Sequence, residues 1–358
     1  MTTELRPGES PLRRPKGRLV ELDALRGIGA IAVVLYHLTT RFPEIFPKAD
    51  AVPFRFWEGE YRVLLFFAIS GFAIFFSLER IASLSDFAVN RFSRLFPAYW
   101  VAIILTLSFE YLGHVDALMI PPLSILANIT MLQGFLYLPA VDGVYWTLTV
   151  ELGFYACMVG LWMLLGKGMH RLELLLLPWL ALKWLMFYWV DMPSRIAMLL
   201  VLQFLPFFII GMLYYRIWSG QRDWVEQLPY FAAALLTVLG TDGHDFFYVA
   251  CALVVIFAAS LGGALRFLCV RSILWFGAIS YPLYLVHENI GFVIMLKAQA
   301  LHMNHWAGFA SALGVVTLLG WLLHEYVELP AARRIARWWR DCKARRPIDP
   351  MDGAMGAA

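Results

Sequence analysis

The sequence predicts an all-α integral membrane protein, a polytopic bundle of about ten transmembrane helices. Hydrophobic residues make up 61% of its 358 residues and charged residues 15%, against roughly 25% charged residues in an average soluble domain. So few charges cannot cover the surface of a soluble core of this size. The apolar runs are long and do not alternate with polar residues, which favours helices over a β-barrel. The composition excludes an ordinary cytoplasmic enzyme and a disordered regulator.

Ten apolar segments follow one another, most of them near the roughly 20 residues that a helix needs to cross the hydrocarbon core. They lie at about 22–40, 62–80, 92–113, 146–166, 172–190, 196–217, 228–241, 245–262, 273–297 and 307–329. The seventh segment is the shortest. The first follows a basic stretch, but no small-residue cleavage site comes after it, so we interpret it as a helix rather than a signal peptide.

These spans define a membrane domain at 19–332 between two polar tails. Residues 1–18 are rich in Pro and Arg, which is typical of a disordered tail, and residues 333–358 form a basic C-terminal tail. Most of the 29 Lys and Arg residues fall in these tails and in alternate loops, whereas the 114–145 loop has none. The positive-inside rule therefore places both termini in the cytoplasm, which requires an even number of spans.

The first helix carries ionisable groups, which are costly in lipid and therefore indicate function. Arg26 and His37 are 11 residues apart, so they lie on one helical face, roughly 16 Å apart along the axis. Taken alone, His37 is explained as well by a structural role as by a functional one. The structural role is that of a buried histidine bonded to a backbone group or a hydroxyl. Arg26 is equally explained as a side chain that reaches the headgroups.

Polar groups in later helices extend this pattern. Arg91 and Arg94 share a helical face, where paired guanidinium groups bind phosphate, although positive-inside topology also explains them. Glu151 lies at a depth comparable with His37, so we expect it to orient the imidazole; the alternative is a carboxylate bonded to a Tyr or Trp of the bundle. Thr147, one turn earlier, is expected to bond to Glu151.

Two further segments are less specific. Ser70 and Gly71 interrupt the second helix, where close helix packing explains them better than room for a thioester arm. His287 and Glu288 are adjacent in the ninth span and would point about 100° apart on a helix. Only one of them then faces a narrow tunnel, and we expect His287. Trp146 fits the aromatic belt at the membrane interface.

Six motifs occur in the order found in a known family. They are LDALRGIGAIAVVLYHL (22–38), FFAISGF (66–72), FAVNRFSRLFPAYW (87–100), VYWTLTVELGFY (144–155), SYPLYLVH (280–287) and YVELP (326–330). Over residues 19–332 the chain resembles acyltransferase family 3, integral membrane proteins that acylate sugars of the bacterial envelope. An Arg and a His separated by ten residues mark the first helix of that family, and Arg26 and His37 match them.

The resemblance implies a multi-pass O-acyltransferase of the bacterial inner membrane. It would move an acyl group, commonly acetyl, from cytoplasmic acyl-CoA to a hydroxyl of an extracytoplasmic carbohydrate or glycolipid. The transfer would be direct, with His37 as general base, or would pass through an acyl-histidine. The expected site residues are His37, Arg26 and Glu151 for catalysis, Arg91, Arg94 and Ser70 for the donor, and Trp146 and His287 for the substrate. Glu288 departs from the family, in which this residue is usually uncharged.

The resemblance also sets the expected partners. Acyl-CoA, with acetyl-CoA as the common case, is the donor substrate, and no cofactor is expected to stay bound. The four cysteines have no metal-like spacing, so we expect neither a metal site nor a disulfide. Other partners are the lipid bilayer, the carbohydrate or glycolipid acceptor and a separate extracytoplasmic protein, but not nucleic acid. A transporter or flippase of envelope precursors is the alternative, and a non-catalytic assembly partner is a third.

Overall fold

The computed structural model describes residues 19–166 and 169–345, and its secondary structure is helical throughout. The α-helices are α1 (Val20–Tyr36), α2 (Phe42–Ile45), α3 (Arg62–Leu78), α4 (Leu84–Gly113), α5 (Pro122–Asn128), α6 (Trp146–Leu165), α7 (Glu173–Tyr188), α8 (Ser194–Leu199), α9 (Leu205–Trp218), α10 (Trp224–Thr241), α11 (His244–Leu261), α12 (Arg271–Val286), α13 (Asn289–Ala300), α14 (His305–Leu323) and α15 (Leu329–Ala344). The predicted all-α membrane bundle is confirmed. The predicted disordered tail at 1–18 lies outside the described residues.

Several of these helices are long and apolar enough to cross a membrane. Within the described residues there are five such stretches, Val20–Ile45, Leu84–Gly113, Gly143–Leu165, His244–Leu261 and His305–Ala344. Helices α12 and α13 make a sixth if they are taken as one span bent by 70°. Helices α3 and α9 are apolar but shorter. A multi-pass membrane protein follows from these lengths, and the number of ten spans stays a prediction.

Helix α9 is the centre of the bundle. Every residue from Leu205 to Arg216 is buried, and α3 packs along it. The two backbones approach closely at Gly71 and Gly211, where a Cβ on either residue would overlap a main-chain carbonyl of the facing helix. The predicted packing role of the 70–71 pair is consistent with this contact.

Helix α4 begins earlier than the sequence predicts. Ser83 accepts a hydrogen bond from the Asp86 N–H, and Asp86 accepts one from the Ser83 N–H, so a capping box starts the helix at Leu84. The hydropathy pattern predicts a start at 92, because the preceding turns are interrupted by the polar residues Ser85, Asp86, Asn90 and Arg91. Pro97 lies inside this helix of 30 residues.

Helix α15 includes part of the predicted C-terminal tail and packs on this end of α4. Trp339 Nε1 donates to Asp86 at 2.7 Å, and Lys343 Nζ lies 2.6 Å from the same carboxylate. The tail residues 333–344 are therefore helical and held against the bundle.

We predict that Gly277→Ala destabilises the protein, because α1 and α12 touch through their backbones. A Cβ on Gly277 would overlap the Asp23 carbonyl, and one on Gly27 would lie 2.8 Å from Gly277 N. We expect the free energy of unfolding to fall by about 1–3 kcal/mol, measured by thermal or denaturant unfolding in detergent. Gly314→Ala is the matched control, because no described atom lies within 4 Å of the added methyl group. Equal effects of both substitutions would contradict this packing argument.

Candidate active site

His37 and His287 form a hydrogen-bonded pair inside the bundle. The distance between His287 Nε2 and His37 Nδ1 is 3.0 Å. His287 is fully buried, whereas the His37 side chain keeps 15% of its surface exposed. The structure thus joins two residues that the sequence placed on separate helices.

The hydrogen bonds of the pair define which nitrogen of His37 is basic. His37 Nδ1 lies 2.9 Å from the Val33 carbonyl oxygen, and His287 Nδ1 lies 2.8 Å from the Tyr284 carbonyl oxygen. A carbonyl oxygen only accepts, so each Nδ1 carries the proton in the neutral ring. The Nδ1–H of His37 is shared with His287 Nε2, and His37 Nε2 retains its lone pair.

A π-helical turn sets the direction of His37. The Phe42 N–H donates to the His37 carbonyl oxygen, five residues back, which widens the helix locally. Arg55 Nη1 donates to the Thr39 carbonyl oxygen at 2.7 Å, and the Phe56 N–H donates to Thr40 Oγ1 at 2.8 Å. The segment after α2 therefore satisfies polar groups of this turn.

His287 and Glu288 lie at a break between α12 and α13, and the prediction that they point 100° apart on one helix is wrong. A continuous helix would bond the Asn289 N–H to the Leu285 carbonyl oxygen. Instead, the Asn289 N–H donates to Asp142 Oδ2 at 3.1 Å, and the Tyr145 hydroxyl donates to the Leu285 carbonyl oxygen at 2.8 Å. Side chains before α6 thus replace the missing helical hydrogen bond.

Glu288 shares the surroundings of the histidine pair because of this break. Its Oε2 is 3.8 Å from His37 Nε2. Asp142 lies beside it and is fully buried, and this loss of hydration raises the pKa of the Asp142 carboxyl group. A third buried carboxylate, Glu110, accepts from Asn289 Nδ2 at 2.7 Å. Asp142 and Glu110 carry no periodic signal in the sequence, and sequence reasoning missed them.

A cavity of about 120 Å³ is lined in part by Tyr284, whose ring also contacts His287. Arg26, Arg91 and Arg94 lie around it together with Ser70, Glu151 and Tyr284. The Tyr284 ring centroid is 5.5 Å from that of His287, so this ring contacts both the cavity and the histidine pair.

Glu151 belongs to the cavity wall, and the expectation that it orients His37 is wrong. Its Oε1 accepts from Ser70 Oγ at 3.0 Å and from the Tyr155 hydroxyl at 2.5 Å. The sequence predicts comparable depths for Glu151 and His37 in the membrane, but depth does not determine which way a helix faces. The alternative of a carboxylate bonded to a tyrosine of the bundle describes the contacts of Glu151.

The cations at this cavity differ in their surroundings. Arg94 is exposed, whereas Arg91 Nε is buried and finds no acceptor among the described residues. Arg91 also lies over the Tyr155 ring, 5.6 Å from its centroid. Arg26 contacts Asp23 Oδ1 at 3.4 Å. Three guanidinium groups therefore line one small cavity that holds a single carboxylate, Glu151.

The remaining predicted residues lie at the edge of the site. Thr147 Oγ1 lies 2.8 Å from the Tyr284 hydroxyl and donates to Val144, so the predicted bond to Glu151 is wrong. Trp146 packs on Phe67 and Phe204 with 43% of its surface exposed and does not line the cavity. The structure thus separates Trp146 from the other predicted site residues.

The chain matches a known family over most of its length. The family model, described as an acyltransferase domain, covers residues 19–325. No curated protein and no solved structure matches the chain. The matched region contains both the histidine pair and the cavity.

We predict that Glu151→Leu destabilises the protein by leaving the Ser70 and Tyr155 hydroxyls without their acceptor. A buried polar group that loses its partner costs about 1–3 kcal/mol, so the melting temperature in detergent should fall clearly. Glu151→Gln keeps an acceptor oxygen and serves as the matched control, with a smaller loss. If both variants melt at the same lowered temperature, the charge of Glu151 matters and not its role as acceptor.

Proposed function

The chain belongs to acyltransferase family 3 and is a membrane acyltransferase; we propose that it transfers an acyl group, acetyl in the common case, from cytoplasmic acyl-CoA to a hydroxyl of an extracytoplasmic carbohydrate or glycolipid. The bacterial inner membrane is the proposed location. The observation that carries this proposal is a cavity lined by three arginines and by Tyr284, whose ring lies beside the His287 of the histidine pair.

The arginines support binding of the donor. Guanidinium groups form bidentate hydrogen bonds with phosphate, and the buried Nε–H of Arg91, which has no acceptor among the described residues, is available to a ligand. Arg94 is exposed at the same cavity, where it reaches a phosphate outside the bundle. The pantetheine arm of acyl-CoA then lies in the cavity beside Ser70 and Glu151, and the thioester reaches the Tyr284 end.

The histidine pair supports general base catalysis. His37 Nε2 takes the proton of the acceptor hydroxyl while the oxygen of that hydroxyl attacks the thioester carbon. The C–S bond then breaks, and the CoA thiolate takes the proton back from His37 as free CoA leaves. His287 accepts from His37 Nδ1 throughout, so it holds the ring orientation and stabilises the imidazolium that forms.

Because CoA itself stays on one side, no transport step is needed. The acyl group crosses the bundle on the pantetheine arm, and the acceptor approaches His37 from the opposite side. A separate extracytoplasmic protein that delivers or receives the carbohydrate is compatible with this arrangement.

We predict that His37→Ala abolishes acyl transfer in the purified protein. Loss of a positioned general base lowers rates by about 10²–10⁴-fold. The assay supplies radiolabelled acetyl-CoA and follows CoA release together with label transfer. His244→Ala is the control, because His244 is exposed at the start of α11.

Near-normal transfer by the His37→Ala protein, with normal membrane insertion, would contradict the assignment of His37 as general base. A wild-type protein that neither binds nor cleaves acetyl-CoA would favour a transporter or an assembly partner instead.

We predict that Arg91→Ala and Arg94→Ala each weaken acyl-CoA binding about tenfold, the effect of losing one charge-assisted hydrogen bond. Binding of radiolabelled acetyl-CoA to protein in nanodiscs measures this loss. Arg345→Ala, at the exposed end of α15, is the control for a general loss of positive charge. An unchanged dissociation constant in both cavity variants would rule out the phosphate-binding role.

A further inference from the structure

Two unsatisfied hydrogen-bond acceptors face each other at the proposed reaction centre. One is His37 Nε2, whose lone pair is free because Nδ1 holds the proton. The other is Glu288 Oε2, which is buried and has no partner among the described residues. They are 3.8 Å apart, too far for a hydrogen bond between them. A ligand that satisfies both must bring two donors.

The Glu288 carboxyl group is fixed in place. Only 4% of the residue is exposed, and the Asp142 side chain is within its hydrogen-bonding reach. Gly143 makes room for it, since a Cβ there would lie 2.7 Å from Glu288 Oε2 and 2.9 Å from Oε1. A carboxyl group held this tightly is suited to selecting a ligand by geometry.

Glu288 Oε2 accepts a hydrogen bond when the proton of the Glu288–Asp142 pair lies on Asp142, because both oxygens of Glu288 then carry only lone pairs. If the pair loses this proton, Oε2 is still a carboxylate oxygen and an acceptor.

We propose that Glu288 is a specificity-determining residue that selects acceptors with two neighbouring hydroxyl groups, that is, vicinal diols such as those of sugar rings. The reacting hydroxyl donates to His37 Nε2, and its neighbour donates to Glu288 Oε2. Gauche hydroxyl oxygens on adjacent carbons lie roughly a hydrogen-bond length apart, about 2.8 Å, and so span acceptors at this spacing. The inference rests on the proposed acyltransferase function and adds the hydroxyl pattern of the acceptor.

The test compares two soluble alcohols that differ by one hydroxyl. Purified full-length protein in nanodiscs receives acetyl-CoA with cis-cyclohexane-1,2-diol or with cyclohexanol, and ester formation is measured by mass spectrometry beside CoA release. We expect the wild-type protein to esterify the diol about tenfold faster than the simple alcohol, the effect of one additional hydrogen bond in a buried site. Glu288→Leu should bring the ratio of the two rates close to one.

Two variants separate recognition from folding and from proton relay. Glu288→Gln keeps an oxygen for the second hydroxyl while its amide faces Asp142, so it should retain the diol preference. Glu110→Gln changes a neighbouring buried carboxylate that accepts from Asn289 rather than facing His37, and it should also retain the preference.

Each other outcome rejects the inference. Equal rates for diol and alcohol in the wild-type protein, or a preference that persists in Glu288→Leu, would show that Glu288 does not select the acceptor. Loss of the preference in Glu288→Gln would assign Glu288 a proton-transfer role instead. If CoA release depends on His37 but neither alcohol is esterified, the inference of diol selection is wrong, whereas the proposed acyltransferase function still holds. If no CoA is released at all, the proposed function fails as well.

Discussion

The need to satisfy every backbone polar group inside lipid governs this site. A break in a membrane-spanning helix frees an N–H and a carbonyl oxygen, and each costs several kcal/mol when it is left unpaired in hydrocarbon. Asp142 takes the Asn289 N–H, and Tyr145 supplies a hydroxyl to the Leu285 carbonyl oxygen. With both contacts in place, α12 and α13 are bent by 70°, and His287 and Glu288 both lie beside His37.

Irregular helix geometry and histidine coincide three times in this bundle. His37 begins one π-helical turn, His287 ends α12 at the break, and His324 begins the second π-helical turn, where its Nδ1 lies 2.7 Å from Glu328. Local departures from the α-helix turn a side chain away from the direction that its neighbours dictate, and they are common at functional sites. At the first two of these positions, His37 and His287 from different helices are in contact.

Hydropathy and motif order were enough to predict the helical membrane fold and the family. They failed where the answer depended on the rotation of one helix relative to another. Glu151 has the depth to meet His37, yet it faces Ser70 and Tyr155. The proximity of Glu288 to His37 was hidden because a helical wheel assumes an unbroken helix, and Asp142 acts through a tertiary contact that leaves no local pattern.

The central helices α3 and α9 are shorter than the hydrocarbon core of a membrane. Helix α3 has 17 residues and the fully enclosed α9 has 14, so they rise about 26 and 21 Å, less than the roughly 30 Å of a hydrocarbon core. Helix α4, with 30 residues, is much longer. The ends of α3 and α9 therefore lie within the hydrocarbon core or close to its edge, where their unpaired backbone groups need partners from the protein or from water.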